Sequence, residues 1–206
     1  MTGKLLKTGG IILAGGKGTR LGMPKAWTEL GGCTLLQRAV SNLEFLGSGI
    51  VIVKAPGAAL PPVKSGVGLT FTEDAVSGKG PLAGILAGLK CSDYAQNLVV
   101  ACDMPLLNRG LLEYIISSSA GYQAAIPRIG DKLEPLQAVY SQDCTGVIEK
   151  LLAGDRLKVD YLFPQVRAHF IEVAEIERLD PRHLSFFNIN TPADLENASK
   201  LLCPQT

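Results

Sequence analysis

Blocks of one charge sign, long apolar runs, metal-ligand cysteine spacings and histidines are all scarce in this chain of 206 residues. Its 20 lysines and arginines nearly cancel its 19 aspartates and glutamates, for a formal charge of +1. That balance argues against a general binder of nucleic acid or of membrane surfaces. No apolar run approaches the roughly twenty residues a membrane helix needs, and the stretch before the first glycines is too short for the core of a signal peptide. Cys33, Cys91, Cys102, Cys144 and Cys203 form no C-x-x-C and no metal-ligand spacing. An odd number of them, scattered among apolar neighbours, reads as the reduced thiols of a cytoplasmic protein. Disorder is excluded as well, since 47% of the residues are hydrophobic and only 19% charged.

What is present is an alternation. Strand-like runs fall at 10–14, 50–54, 69–73, 97–102, 124–129, 135–141 and 169–174, and helical apolar periodicity fills 34–46, 81–91, 109–119 and 144–154 between them. Near the end, Thr191-Pro192-Ala193-Asp194 opens a last helix, with Thr191 as cap, Pro192 in the first turn and Asp194 suited to the dipole. Strands that are apolar throughout and alternate with helices imply a mainly parallel sheet covered on both faces. The run at 135–141 follows its predecessor after a short Gly-Asp turn, so that pair is expected to be antiparallel. There is no repeat, low-complexity tract or linker, and the loosest stretch, 54–66, lies inside the alternation. One domain over residues 1–206 is expected.

The stretch IILAGGKGTRLGMPK (11–25) is the first with chemical character. It fails the P-loop pattern, because Gly16 stands where the lysine belongs and Lys17 is followed by Gly18. It fails G-x-G-x-x-G too, because Leu21 takes the place of the third glycine. The physics behind both patterns survives: a buried strand delivers a loop whose backbone N–H groups can approach an anion. Lys17, Arg20 and Lys25 supply positive charge. A glycine-rich turn with solvated lysines is the ordinary alternative.

In open α/β sheets ligands bind beyond the carboxyl ends of the strands. The third strand ends in Glu73-Asp74, ahead of a second glycine-rich turn, SGKGPLAGI (77–85). The fourth ends in Asp103-Met104-Pro105. A carboxylate emerging from an apolar strand needs a cation or several donors. Asp103 therefore reads as a ligand for a hard cation, magnesium above all; capping the turn at Pro105 is the bland alternative. Basic glycine loop, carboxylate and second glycine turn together describe a nucleoside triphosphate site without a P-loop.

LAGGKGTRLGMPK, GPLAGI, ACDMPLL and FFNINTPADL, in that order, resemble the molybdenum cofactor guanylyltransferase family, and the similarity runs from Ile11 to Leu195. The resemblance implies a three-layer α/β/α sandwich, Rossmann-like and mostly parallel with an antiparallel element, of the nucleotide-diphospho-sugar transferase kind. It implies transfer of GMP from GTP to the terminal phosphate of molybdopterin, with Mg2+. By position, Leu13, Ala14, Gly15 and Gly16 would hold the nucleotide through the backbone, together with Asp74 and the turn Gly80, Pro81 and Leu82. Lys25 would meet the phosphates and Asp103 the metal, with Arg20, Lys25 and Asp103 as the catalytic set and Asn190 as a second group beside the metal. One departure is visible: family members often carry an asparagine directly after the second strand, where this chain has Lys54.

The resemblance also favours GTP over CTP, and it implies GTP and molybdopterin as the partners, with transient contact to proteins that deliver molybdopterin or mature molybdoenzymes. A nucleotidyltransferase using CTP or UTP on a pterin, sugar phosphate or polyol phosphate remains open, as does a non-catalytic GTP-binding regulator. On the acceptor side, Arg128, Lys132, Arg156 and Lys158 are candidates to meet a pterin phosphate, and Trp27 and Tyr140 to stack on the ring. Surface charge and core packing are their ordinary readings. The nucleophile is already an anion, so His169 and His183 need no catalytic role.

Overall fold

The computed structural model describes residues 7–15, 20–74 and 80–202. In chain order the elements are β1 (Thr8–Leu13), β2 (Glu29–Leu30), β3 (Cys33–Thr34), α1 (Leu35–Leu43), β4 (Ile50–Lys54) and β5 (Leu69–Glu73). Next come α2 (Gly80–Cys91), β6 (Gln96–Ala101), α3 (Arg109–Ser118), β7 (Ala124–Ile129), β8 (Lys132–Leu133) and β9 (Gln137–Ser141). The chain closes with α4 (Thr145–Ala153), β10 (Ala168–Glu172), α5 (Val173–Glu177) and α6 (Pro192–Leu202).

The main sheet has the order β10-β7-β9-β6-β1-β4-β5, with β8 hydrogen-bonded to β7. β6, β1, β4 and β5 are mutually parallel. β9 runs antiparallel between β6 and β7, and β10 is parallel to β7. Side chains alternate across the sheet, so β1 feeds both cores: Ile12 joins α1 and α3 on one face, and Ile11 joins α2 and α4 on the other. Each fully buried Ile or Leu contributes about 1.5–3 kcal/mol, which makes the two faces comparable sources of stability. The expected three-layer sandwich is what forms.

Three expectations need correction. The tight turn at Gly130 pairs β7 with the short β8, and β9 is the next strand along, antiparallel to β7 as expected. The last strand stops at Glu172, because a reciprocal capping box between Glu172 and Glu175 starts α5 at Val173. β5 is not buried throughout; it is a sheet edge with Phe71 51% exposed. Among the described residues no helix is long and apolar enough to cross a membrane.

From β1 the chain moves outward to β4 and β5, then returns to place β6 on the other side of β1. The crossovers therefore diverge at β1, and a crevice opens beyond the carboxyl ends of β1 and β6.

Candidate active site

The sheet's own hydrogen bonds decide which part of the first loop is available. The Ala14 N–H donates to the Val53 carbonyl at 2.8 Å, and the Leu13 carbonyl accepts from the Cys102 N–H at 3.1 Å. Gly15 is the first position past this ladder. Its N–H makes no hydrogen bond among the described residues, and its missing side chain leaves the Ala55 backbone as the nearest neighbour. Gly16 and Lys17 lie outside the described residues.

Beyond β1 lies a cavity of about 410 Å³. Leu13, Gly15, Lys25, Asp74, Gly80, Pro81 and Asp103, all named from the sequence, line it. Ala14 does not; it lines a second cavity, with Met23 and Trp27, on the other side of Gly15 and Ala55. Leu82 is fully buried in the α2–α4 core. Arg20 is exposed in a turn and is not among the lining residues.

α2 reaches the cavity because its inner face is small. An added Cβ on Gly88 would lie 2.5 Å from Ile11 Cγ2, and one on Gly84 would lie 3.3 Å from the Leu13 side chain, so the helix lies close on β1. Gly80 opens the helix at a φ of 71°, a region that favours glycine, and Pro81 follows where no N–H is needed. The helix thus presents its positive end to the cavity.

The chemistry concentrates at Lys25. Its Nζ lies 2.5 Å from Asp103 Oδ2 and donates to Asn190 Oδ1 at 2.6 Å. Both the Lys25 and Asp103 side chains are only 15% exposed. Asp103 thus pairs with the Lys25 ammonium. Asn190 arrives from far along the chain, held by the Asp194 carboxylate, which accepts from the Asn190 and Thr191 N–H groups at 3.0 and 2.8 Å. The Ile189 N–H donates to the Asp103 carbonyl at 2.9 Å, tying the two segments together. Asp194 had a sequence signal only as a helix-start residue; its hold on Asn190 emerges from the fold. Asp103 and Asn190 offer hard oxygens of the kind magnesium takes along with water and phosphate oxygens, and in this arrangement both are held by the Lys25 ammonium. No group of three or more His, Cys, Asp or Glu suited to a metal occurs among the described residues, so phosphate oxygens and water must complete any shell.

Cys102 lines the cavity beside Asp103, and burial pushes its thiol up to about 12, with the neighbouring carboxylate adding to the effect. It stays protonated at neutral pH and is no nucleophile.

The acceptor-side candidates separate. Arg128 is paired with Glu172 over the Phe170 ring, and Lys132 with Glu134. Arg156 lies over Tyr161, in the segment whose Leu157 carbonyl borders Gly80, and Lys158 is exposed nearby. Tyr140 is fully buried with its hydroxyl on the Pro135 carbonyl, which makes it a core residue. Trp27 is 40% exposed and donates to the Ala59 carbonyl. His169 stacks on Tyr122, and His183 lies near Glu177.

Residues 10–165 match the family model described as the MobA-like NTP transferase domain. A probable molybdenum cofactor guanylyltransferase of Pelotomaculum thermopropionicum is 38% identical over 197 residues, covering 94% of this chain and 93% of the relative. The molybdenum cofactor guanylyltransferase of Desulfosudis oleivorans is 33% identical over 191 residues, 92% and 93% of the two chains. The crystal structure of molybdopterin-guanine dinucleotide biosynthesis protein A from Archaeoglobus fulgidus superposes with a TM-score of 0.78 at 27% identity, covering 95% of this chain and 98% of that one. A 2-C-methyl-D-erythritol 4-phosphate cytidylyltransferase from Thermus thermophilus, at TM-score 0.67 and 19% identity over 93% and 97% of the two chains, shares the fold.

Proposed function

Since this chain belongs to the MobA-like NTP transferase family, we propose that it is a molybdenum cofactor guanylyltransferase, moving GMP from GTP to the terminal phosphate of molybdopterin. The observation that carries the reading is the meeting of Lys25 and Asp103, which line the cavity, with Asn190. A phosphate oxygen of the acceptor attacks the α-phosphorus of GTP. As that P–O bond forms, the bond from the α-phosphorus to the bridging oxygen breaks, and pyrophosphate leaves with the electron pair.

The nucleophile needs no strong base, so the barrier is electrostatic. Two anions must meet, and charge grows on the leaving group. Lys25 lies at the phosphate end with its ammonium between Asp103 and Asn190. Gly15 and the N-terminus of α2 line the same space, and the positive end of the helix favours an anion there without rearrangement. Asp103, with Asn190, would hold Mg2+ once the Lys25 ammonium turns from their oxygens to the phosphates, and the ion when bound would supply positive charge to phosphate oxygens.

The deciding measurement is pyrophosphate release with molybdopterin as acceptor, across GTP, CTP, UTP and ATP. Release with GTP, and little with the others, is expected. Faster release with CTP or UTP would move the assignment to another nucleotidyltransferase, and tight GTP binding without turnover would favour a regulator.

A further inference from the structure

Lys54 closes β4 directly opposite Glu73, the last residue of β5, in parallel register. Its Nζ lies 3.0 Å from Glu73 Oε1 and donates to the Ala58 carbonyl at 3.0 Å. The Gly57 N–H donates to the same Glu73 oxygen at 3.2 Å, so the short loop after β4 is folded around the pair. Lys54 also lines the 410 Å³ cavity, alongside Ala55, Pro56 and Asp74.

An ammonium has three N–H donors and no acceptor. Two are spent on Glu73 and Ala58, which leaves one for the cavity. The Lys54 charge is already matched by Glu73, whose carboxyl is held below its ordinary range by Lys54 first and the Gly57 N–H next. Lys54 is thus a fixed, locally neutralised donor, unlike the phosphate-facing Lys25. It also stands apart from Lys25 and Asp103. β4 lies two strand positions from β6, roughly 10 Å at about 4.8 Å per strand, so Lys54 faces the base end of a nucleotide whose phosphates lie at Asp103.

Base edges differ in what they offer a lone donor. Guanine presents O6 and N7, both acceptors, whereas adenine and cytosine carry an exocyclic amine at the corresponding place. Against Lys54, which is about a quarter exposed, an amine sets donor against donor and leaves the cavity-facing N–H unmatched. We propose that Lys54, held by Glu73 and the Ala58 carbonyl, selects a keto over an amino base edge by donating to the guanine O6. This deepens the guanylyltransferase reading and rests on it for the class of ligand.

The test is calorimetric binding of three triphosphates to the full chain and to Lys54→Met: GTP, its analogue with 2-aminopurine as base, which lacks O6, and ITP, which keeps O6 but lacks the 2-amino group. Wild type is expected to bind GTP about ten- to a hundredfold tighter than the 2-aminopurine nucleotide, the scale of one hydrogen bond to a charged donor. In Lys54→Met that ratio falls to about twofold or less, while the GTP to ITP ratio stays at its wild-type value. Equal wild-type affinities for GTP and the 2-aminopurine nucleotide would overturn the proposal, and this needs no variant to fold. So would an unchanged O6 preference in Lys54→Met, or relaxation of both ratios together, which would mean a loosened cavity. The guanylyltransferase reading falls separately, if GTP fails to support turnover on molybdopterin.

Discussion

Lys25 and Asp103 are joined across 78 positions of sequence by a contact of 2.5 Å. Replacing Asp103 with alanine removes one of the two oxygens around the Lys25 ammonium and spares the main-chain tie between the two segments, since the Asp103 carbonyl keeps its bond to the Ile189 N–H. Pyrophosphate release by Asp103→Ala should fall by about a hundredfold or more, with the far-ultraviolet circular dichroism unchanged; near-normal turnover would separate Asp103 from the reaction. Asp194 acts one step back, by holding Asn190. Its carboxyl sits below the ordinary value of 3.8, chiefly because it accepts from the Asn190 N–H. A depressed carboxyl stabilises the fold above its unfolded value and loses that contribution as pH falls through the folded one. The melting-temperature gap between wild type and Asp194→Ala should therefore be flat from about pH 5 to 8 and shrink below about pH 4. A gap that persists unchanged at pH 2 would remove the carboxylate's charge from the account.

At the scale of elements, α2 shows how packing builds the site. Its glycines have a sequence signal as a turn-and-helix motif, but their purpose is close approach to β1, where Gly88 meets Ile11. Alanine at Gly88 gains helix propensity of about 1 kcal/mol, yet its Cβ falls on a β-branched core side chain that has no room to move. Gly88→Ala should be net destabilising by about 1–3 kcal/mol, read from urea denaturation; a stabilised variant would show that the helix can lift off the sheet freely. The β5 edge and the switch from β10 to α5 were not legible. Apolar letters mark both runs, but edge exposure depends on which strand sits outermost, and the helix start at Val173 depends on Glu172 and Glu175 closing a capping box.

For the whole molecule, a ligand that binds only the folded state stabilises it by mass action. At a hundred times Kd the gain is about 2.7 kcal/mol, roughly 5–10 °C in melting temperature for a chain of this size. GTP with magnesium should produce such a shift and CTP little. Equal shifts from both would remove the base preference.

The alternation of apolar strands and amphipathic helices, and the motifs at the strand ends, were determined by the chain alone. Local periodicity specifies which faces must be buried, and glycine and carboxylate positions relative to strand ends need no long-range information. That is why the three-layer sandwich could be named beforehand, and with it Leu13, Gly15, Lys25, Asp74, Gly80, Pro81 and Asp103 of the cavity lining. Only the tertiary structure decided that Leu82 points into the core, that Ala14 spends its N–H on Val53, and that Asn190 reaches Lys25. These depend on the register of β1 against β4 and on the path of the segment before α6. Such contacts between distant residues are set by the packing of the whole sheet, which no local pattern encodes.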